Sequence, residues 1–486
     1  MNVALAVLLC LAASAPLAGG SSFSNQPPSG GDGSITALVA RLQEHFAEES
    51  SGKDDLFLRY GLVASRSGRW VRIWAAPLDM ALDAPVEFLL IGPQSGHDYE
   101  ALARSFARAE DIHAALEFIG VPAGRPVDYR RLCLWPKGER VRVTYRWSDE
   151  ADVYFADRFT NQVRAERLIR DASTGRHLPL EDFVFVGSRW MPAPGEATGR
   201  VYAADAFDPQ AIISDYNEPL TVLDVPYRAV DSEVYGTRVV NPEARLPADR
   251  LLDILLEPTW TAEGRRVVDL TLKVEPGTQD HSLAGLNYGV TGSAWKALPD
   301  VSNLTDLLAL FENLETAGHD IFLTVRPSHR LPVAMVSRLY VFLWGLTGSH
   351  RLRLEPPLPG DLFWKAFLPP PGLMERADRI VQPWELHLGY GKQGVVTGSL
   401  ERIVEDWGEG MADSEPELTT NRFPVTEAGD MVHIIESDPS PGLFMLVYCP
   451  EGMEYGEVLS FIRPILPDRP TIYLVPYPAE RQEPSE

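Results

Sequence analysis

The chain has 486 residues, of which 45% are hydrophobic and 23% are charged, so it is long enough for several domains with hydrophobic cores. Its 44 Lys and Arg residues stand against 68 Asp and Glu residues, and the formal net charge is −24. Because nucleic-acid affinity comes largely from basic surface, this charge argues against a nucleic-acid partner. The composition also excludes a collagen-like repeat, a disulfide-rich mini-protein and a polytopic membrane protein.

The first residues of the sequence predict export. Residues 3–17 form an apolar run that is too short for a comfortable membrane span, and small residues follow it. We interpret residues 1–19 as a signal peptide and residues 20–35 as a flexible leader rich in Gly, Ser and Pro. The predicted location is the periplasm or the exterior, with no transmembrane span in the mature chain. A protein anchored in the membrane by an uncleaved signal is the alternative.

Three cysteines occur in the sequence, and Cys10 lies inside the predicted signal peptide. Cys133 and Cys449 are separated by 449 − 133 = 316 residues, so they pair only if the first and last domains meet. Two separate buried thiols are the prediction, and a disulfide is the alternative. Two cysteines alone supply neither an iron–sulfur cluster nor a Cys-rich zinc site.

Residues 36–235 predict a β-rich domain with short helices. Apolar residues recur at helical spacing in residues 36–49 and again in residues 111–119, where Gly120 ends the helix. Strands are predicted at residues 70–74, 86–91 and 141–147. The last of these alternates apolar and polar residues, which is typical of a strand with one buried face.

Several short sequence patterns occur in order within this region. They are Val86-Glu87-Phe88-Leu89-Leu90, His97-Asp98-Tyr99-Glu100-Ala101-Leu102, Asp111-Ile112-His113-Ala114-Ala115-Leu116, Gly120, Gly124, Phe183-Val184-Phe185-Val186-Gly187-Ser188, Tyr202-Ala203-Ala204-Asp205, Asn217 and Leu223-Asp224. On these patterns, residues 60–230 resemble the YdjY domain, a bacterial envelope family. The resemblance implies an envelope location and assigns no activity. A ferredoxin-like role, attached to some relatives, is not implied here because the necessary cysteines are missing.

Two imidazoles and two carboxylates in this region form the candidate chemical group: Glu87, His97, Glu100 and His113. They would complete a divalent metal site if the strand, loop and helix that carry them converge. In the alternative, the two glutamates accept hydrogen bonds from the backbone or from Arg, and His113 lies at a seam between a helix and a sheet. We predict no catalytic residue and no other cofactor.

Beyond about residue 262, strands and helices alternate, and the same order of elements occurs twice. The first copy covers residues 262–357, the second covers residues 382–478, and residues 479–486 form a tail. In the second copy Leu400, Ile403, Val404 and Trp407 have the spacing of a helical face. This places the first helix of that copy before an acidic insertion at residues 409–442. Repeats longer than 90 residues indicate a duplicated domain and not a solenoid.

Short sequence patterns occur in both copies. They are Leu307-Leu308-Ala309-Leu310, Asp320-Ile321-Phe322-Leu323-Thr324-Val325-Arg326-Pro327 and Leu331-Pro332-Val333 in the first copy, and Leu446-Val447-Tyr448-Cys449-Pro450 and Glu454-Tyr455-Gly456-Glu457-Val458 in the second. On these residues each copy resembles the periplasmic domain of the ExbD/TolR family. The resemblance implies a fold and an envelope-binding role. It does not extend to motor coupling, because the membrane helix with its aspartate is missing before both copies.

The sequence thus predicts an α+β protein: a β-rich N-terminal domain followed by two tandem small α/β two-layer sandwich units. The predicted function is non-enzymatic binding or scaffolding in the bacterial cell envelope, with an envelope protein or a cell-wall component as the partner. Self-association through the repeats, by pairing of strand edges, is a further prediction. The alternative function is a metal-binding protein or metal-dependent enzyme that uses the His/Glu group.

Overall fold

The computed structural model describes residues 33–50, 54–128, 135–193, 199–227, 229, 231–277, 282–347, 351–355, 384–391, 394–406, 417–426, 428–436, 445–465 and 472–478. The predicted signal peptide, Cys10, Cys133 and the predicted tail lie outside the described residues. The fold is of the α+β class. Two compact units divide the chain, and the boundary lies between Arg266 and Val267.

The first unit consists mainly of strands. They are β1 (Leu56–Arg59), β2 (Leu62–Ser65), β3 (Trp70–Pro77), β4 (Phe88–Ile91), β5 (Ala103–Ser105), β6 (Arg140–Trp147), β7 (Asn161–Arg164), β8 (Ile169–Asp171), β9 (Phe183–Phe185), β10 (Trp190–Pro192), β11 (Arg200–Tyr202), β12 (Ala211–Ser214), β13 (Leu223–Asp224), β14 (Arg238–Val240) and β15 (Leu252–Pro258). The helices are α1 (Gly33–Ser50), α2 (Ala109–Phe118), α3 (Ala151–Ala156), α4 (Ala203–Ala206) and α5 (Asp231–Val234). The helices predicted at 36–49 and 111–119 and the three predicted strands are confirmed.

Eight of these strands close into a barrel. Their order is β3-β15-β6-β9-β13-β12-β4-β5, and β5 pairs with β3 to complete the ring. The alternation in β6 explains which face is inside, since Val141, Val143 and Tyr145 are all fully buried. The Tyr145 hydroxyl donates to the Leu89 carbonyl at 2.8 Å, so this buried phenol is paired. The sequence predicted a β-rich domain, but it did not predict the closure.

A second, smaller apolar cluster lies where α1 covers the unit. Val39 and Leu42 of α1 are fully buried, and they belong to the same hydrophobic cluster as Trp74 of β3. The Phe46 and Trp74 rings stack with centroids 6.0 Å apart. The apolar face that predicted α1 from sequence is therefore the face that it buries.

The second unit contains two copies of one arrangement. Its strands are β16 (Val267–Glu275), β17 (Asn287–Gly292), β18 (Asp320–Pro327), β19 (Leu352–Leu354), β20 (Trp384–Tyr390), β21 (Val396–Asp406), β22 (Glu417–Val425), β23 (Met445–Pro450) and β24 (Ile472–Tyr477), and its helices are α6 (Leu304–Thr316), α7 (Val333–Thr347), α8 (Ala428–Glu436) and α9 (Tyr455–Ile462). The sheets have the orders β17-β16-β18-β19 and β22-β21-β20-β23-β24. Each sheet is thus an antiparallel hairpin continued by two parallel strands, and the second sheet carries β22 as an extra edge.

The prediction of a helix around Leu400, Ile403 and Val404 was wrong. These residues lie in β21, which pairs along its length with β22 and through Leu400 with β20. Their spacing imitates a helical face over a short run, but the β-branched residues around Leu400 favour a strand. Trp407, the fourth residue of that pattern, lies outside the described residues.

The bounds predicted for the acidic insertion, residues 409–442, were also wrong, because the segment contains α8 in addition to the extra strand β22. Helix α8 occupies the place in the second copy that α6 has in the first. It begins 428 − 304 = 124 residues after α6, and β23 begins 445 − 320 = 125 residues after β18. The spacing between first helix and next strand therefore agrees within one residue between the copies. The extra length of the second copy lies before α8, where β22 has no counterpart in the first sheet.

The two copies pair through equivalent segments, those that directly precede α7 and α9. The Val333 N–H donates to the Met453 carbonyl at 2.9 Å, and the Tyr455 N–H donates to the Leu331 carbonyl at 2.8 Å. Between these bonds, Pro332 stands opposite Glu454 in an antiparallel bridge. Buried residues of both sheets and their helices belong to one continuous apolar cluster. In the described residues, the main-chain hydrogen bonds between the copies are therefore made by the segments before the second helices.

Candidate functional site

Three of the four predicted site residues lie together at the start of β4. The Glu87 N–H donates to the Glu100 carbonyl at 2.9 Å, which brings the segment of residues 97–100 beside residue 87. Nδ1 of the His97 ring forms a hydrogen bond with Oε1 of Glu100. A short helical turn begins just after His97 and ends at Glu100. It places the two side chains, which are three residues apart in sequence, in contact with each other.

His113 does not join this group. Its Nδ1 atom lies 2.9 Å from the Tyr202 hydroxyl and 3.1 Å from the Gly187 carbonyl, and its ring packs edge-on against Phe185. It therefore occupies the seam between α2 and the barrel, as the alternative prediction had it. In the described part of the chain, no group of three or more His, Cys, Asp and Glu side chains is arranged to hold a metal ion. The four predicted residues do not form one metal site.

A second carboxylate engages the other nitrogen of His97. Asp208 Oδ1 lies 2.8 Å from Nε2 of His97, and the Asp208 side chain is mostly exposed. Burial lowers the pKa of His97, but the hydrogen bonds to Glu100 and Asp208 outweigh it, so the pKa is raised overall. A carboxylate at each ring nitrogen thus balances the positive charge of the protonated His97 ring.

Glu87 is a half-buried carboxyl group in strongly acidic surroundings. Burial, and after it the nearby carboxylates of Glu100, Asp231 and Asp215, raise the pKa of Glu87 to about 8. The His97 charge opposes this shift without cancelling it. At neutral pH the Glu87 side chain is therefore mostly protonated.

Asp215 follows β12 directly, and Glu87 precedes β4 directly. Ser214 is the cross-strand partner of Phe88, and the Asp215 N–H donates to the Glu87 carbonyl at 3.0 Å, so the two acidic residues meet just beyond the paired strands. The Asp215 charge is one of those that raise the pKa of Glu87. Asp215 is only 1% exposed, and burial raises its pKa to about 7, with the Arg238 charge opposing.

Arg238 does not satisfy the Asp215 carboxylate fully. Arg238 donates a hydrogen bond to the main-chain carbonyl of Asp215, while its Nη1 atom lies 3.3 Å from Oδ2 as an ion pair. Oδ1 of Asp215 accepts no hydrogen bond from any described residue, and the same holds for Oδ1 of Asp231. Buried carboxylate oxygens in native proteins normally have a donor, so these two need explanation.

Asn217 fixes the segment that follows Asp215. Its Oδ1 atom accepts from the Ala229 N–H at 2.7 Å, and its Nδ2 atom donates to Asp224 Oδ1 at 3.1 Å and to the Tyr227 carbonyl at 3.0 Å. The side chain is fully buried and connects β13 with the chain that leads to Asp231. Asn217 and Asp224 belong to the YdjY-like sequence pattern, which was the only sequence signal for this part of the site.

The resulting group, which we call the acidic site, combines one histidine, one arginine and an excess of carboxyl groups. Its members are Glu87, His97, Glu100, Asp208, Asp215, Asp231 and Arg238. Asp208, Asp215 and Asp231 were not predicted from sequence, because they lie more than a hundred residues from Glu87 and match no local motif. The long-range pairing of β12 with β4 brings these segments together.

The chain matches no protein-family model, no curated protein and no solved structure. Among the described residues, no helix is both long enough and apolar enough to span a membrane.

Proposed function

We propose that this chain is an exported protein of the bacterial cell envelope that acts as a non-enzymatic binding or scaffolding module. The apolar run at residues 3–17, followed by small residues, supports export. The YdjY-like patterns of the first unit and the ExbD/TolR-like patterns of the second support an envelope role. The partner in this proposal is an envelope protein or a cell-wall component.

The observation that carries the scaffolding role is the duplicated architecture of the second unit. In the proposed reading each copy is a small two-layer α/β sandwich with the same strand order, which supports the ExbD/TolR resemblance. The copies are bonded to each other through the segments before α7 and α9, so one chain contains both halves of a pair. A paired unit of this kind supports a structural or binding role by fold-level analogy.

The export half of the proposal is tested by expressing the full chain in a bacterial host and fractionating the cells. We expect the protein in the periplasmic fraction, with a new N-terminus close to residue 19. The matched control is Leu9→Arg, which places a charge in the apolar run and is expected to retain the protein in the cytoplasm. Recovery of the unprocessed parent chain from the cytoplasm would contradict the proposal.

The binding half is tested by cross-linking in intact cells and capture of the tagged chain. We expect an envelope protein or cell-wall fragment among the cross-linked products. The Leu9→Arg variant, retained in the cytoplasm, serves as the control for non-specific capture. Recovery of cytoplasmic partners alone would refute the envelope role.

A further inference from the structure

We propose that the outer edge of β22 pairs with the same strand of a second copy of this chain. This strand is the last one of the second sheet, and all 9 of its residues pair with β21 in an unbroken antiparallel register. In the described part of the chain, no residue forms a main-chain hydrogen bond with its other edge. A long edge strand without a bulge or a cover is a template for the pairing of another strand.

The hydrogen-bonding pattern shows which main-chain groups of β22 face outward. The Gly391 N–H donates to the Val395 carbonyl at 2.8 Å, and bonded residues alternate with non-bonded ones along an antiparallel pair, so Ser399 bonds to β20. Ser399 is also the register partner of Pro424, which has no N–H to donate to β21. Both observations indicate that alternate residues of β22 direct their main-chain groups outward: Leu418, Thr420, Arg422 and Pro424.

The first sheet shows how the protein covers the corresponding edge. There β17 has the position of β21, and among the described residues no strand lies outside it. The N–H of Tyr288 in β17 donates to the Ser302 carbonyl at 3.1 Å, so the chain that leads into α6 covers the edge at this point. In the second copy the chain that leads into α8 is itself the strand β22. The outer edge of β22 is therefore an edge for which the first copy has no equivalent.

The outward groups of β22 are complementary to themselves in one register. Two antiparallel copies centred on Thr420 place this residue opposite its counterpart and Leu418 opposite Arg422, so that about six main-chain hydrogen bonds form. No like charges stand opposite each other, and a Thr–Thr pair at the centre is a favourable cross-strand pair. Pro424, which would interrupt the ladder, lies beyond the paired residues. A register centred on Asn421 would instead bring Pro424 opposite Leu418, so we assign the centre to Thr420.

The exposed part of this strand suits a reversible contact. Thr419, Thr420, Asn421 and Arg422 are exposed, and only the last of them is charged. At about 3.4 Å per residue the strand is about 30 Å long, and pairing along this length buries less surface than the roughly 1,200–2,000 Å² of a stable interface. We therefore expect a reversible dimer with a Kd weaker than about 1 µM.

The pairing is tested on the full chain by sedimentation velocity over a range of protein concentrations. We expect the sedimentation coefficient of the parent chain to rise from the monomer value toward the dimer value. Thr420→Pro removes the central outward N–H and leaves the bonds to β21 intact, so it should fold and raise the dimer Kd about tenfold or more. Thr420→Val, the matched control, retains the N–H and a β-branched side chain and should change the Kd less than about threefold. A parent chain that stays monomeric, or a Thr420→Pro chain that dimerises like the parent, would overturn the proposal.

Disulfide cross-linking tests the register without a proline variant. In the proposed register the two Thr420 Cα atoms lie about 5.5 Å apart, which is within the range for a disulfide. Thr420→Cys, in a background with Cys10→Ser and Cys133→Ser, should form a covalent dimer on mild oxidation, since the remaining Cys449 is buried. Thr426→Cys, at an exposed position just beyond β22, is the matched control and should cross-link at least about tenfold less. Equal cross-linking of the two variants would overturn the proposed pairing.

This inference adds a contact between chains to the scaffolding role proposed above, and the two fail separately. An exported chain that stays monomeric refutes the strand pairing alone. A chain that dimerises through Thr420 and stays in the cytoplasm refutes the envelope location alone. A monomeric parent whose cross-link to an envelope protein is lost in Thr420→Pro would assign the edge to that protein and overturn the pairing between copies.

Discussion

Glu87 should make the stability of the protein depend on pH in a range where most carboxyl groups have no effect. Its pKa is raised from 4.5 to about 8 in the folded chain. A group with a raised folded pKa contributes stability that is fully present below its unfolded pKa and is lost as the pH rises through the folded pKa. The Glu87 contribution is therefore complete at about pH 4.5, falls between pH 4.5 and 8, and is absent above that range.

The size of this effect follows from linkage. A shift of 8 − 4.5 = 3.5 pKa units corresponds to an upper bound of about 4.8 kcal/mol. Because Glu87 is only half-buried, solvent screening reduces this bound, and we expect about 2 kcal/mol. Asp215 adds to the same trend, because its pKa is raised from 3.8 to about 7.

The assay measures the free energy of unfolding by urea denaturation at pH 5 to 9 for the parent chain and for Glu87→Gln. The matched control is Asp83→Asn, at an exposed aspartate of the same unit. Glu87→Gln lacks the charge that appears at alkaline pH. Its free energy of unfolding should therefore match that of the parent near pH 5 and exceed it by about 2 kcal/mol at pH 9. Parallel pH profiles for all three proteins would refute the reasoning that Glu87 is a protonated carboxyl group in the folded chain.

Three further predictions concern other parts of the chain. Asp253 is fully buried and accepts from Arg72 Nε at 2.9 Å and from Arg146 Nε at 3.0 Å. Asp253→Ala leaves these two buried cations with the half-exposed Asp157 as their remaining ion-pair partner and should cost about 3 kcal/mol in urea denaturation; a cost below about 1 kcal/mol would contradict this pairing. Asp205 accepts from the first two N–H groups of α2 at 2.8 and 3.0 Å, and Asp205→Ala should destabilise the chain by about 1–2 kcal/mol, while Asp205→Asn retains an acceptor and costs less; equal costs for both would count against the capping role. Burial raises the pKa of the Cys449 thiol to about 12, so a thiol reagent should label it only after unfolding, with Cys449→Ser as the blank; rapid labelling of the folded chain at this residue would disprove the burial.

Local patterns predicted the elements whose neighbours in sequence are also their neighbours in structure. The alternation of β6 and the apolar faces of α1 and α2 all correspond to faces that are buried in the fold. The same reasoning failed at β21, because a short apolar run fits both helical and strand spacing. There the β-branched residues were the better guide, since propensity favours strand where periodicity is ambiguous.

Long-range pairing was beyond the sequence. The barrel closes through pairs such as β3 with β15, and nothing in a single chain's local pattern states which distant strand is the partner. For the same reason Glu87, His97 and Glu100 were identified as candidates while Asp215 was not. The predicted fourth member, His113, was a histidine with its partners in the protein interior, and its residue type alone does not distinguish that role from ligation.

The central claim about the acidic site is that Glu87 retains its proton at neutral pH. The most direct measurement is a carbon-13 NMR titration of the chain labelled at its glutamate carboxyl carbons, with Glu87→Gln to assign the signal. The account predicts one glutamate with a pKa of about 8 whose signal is missing in the variant. Titration of every glutamate below about pH 6 would contradict the account.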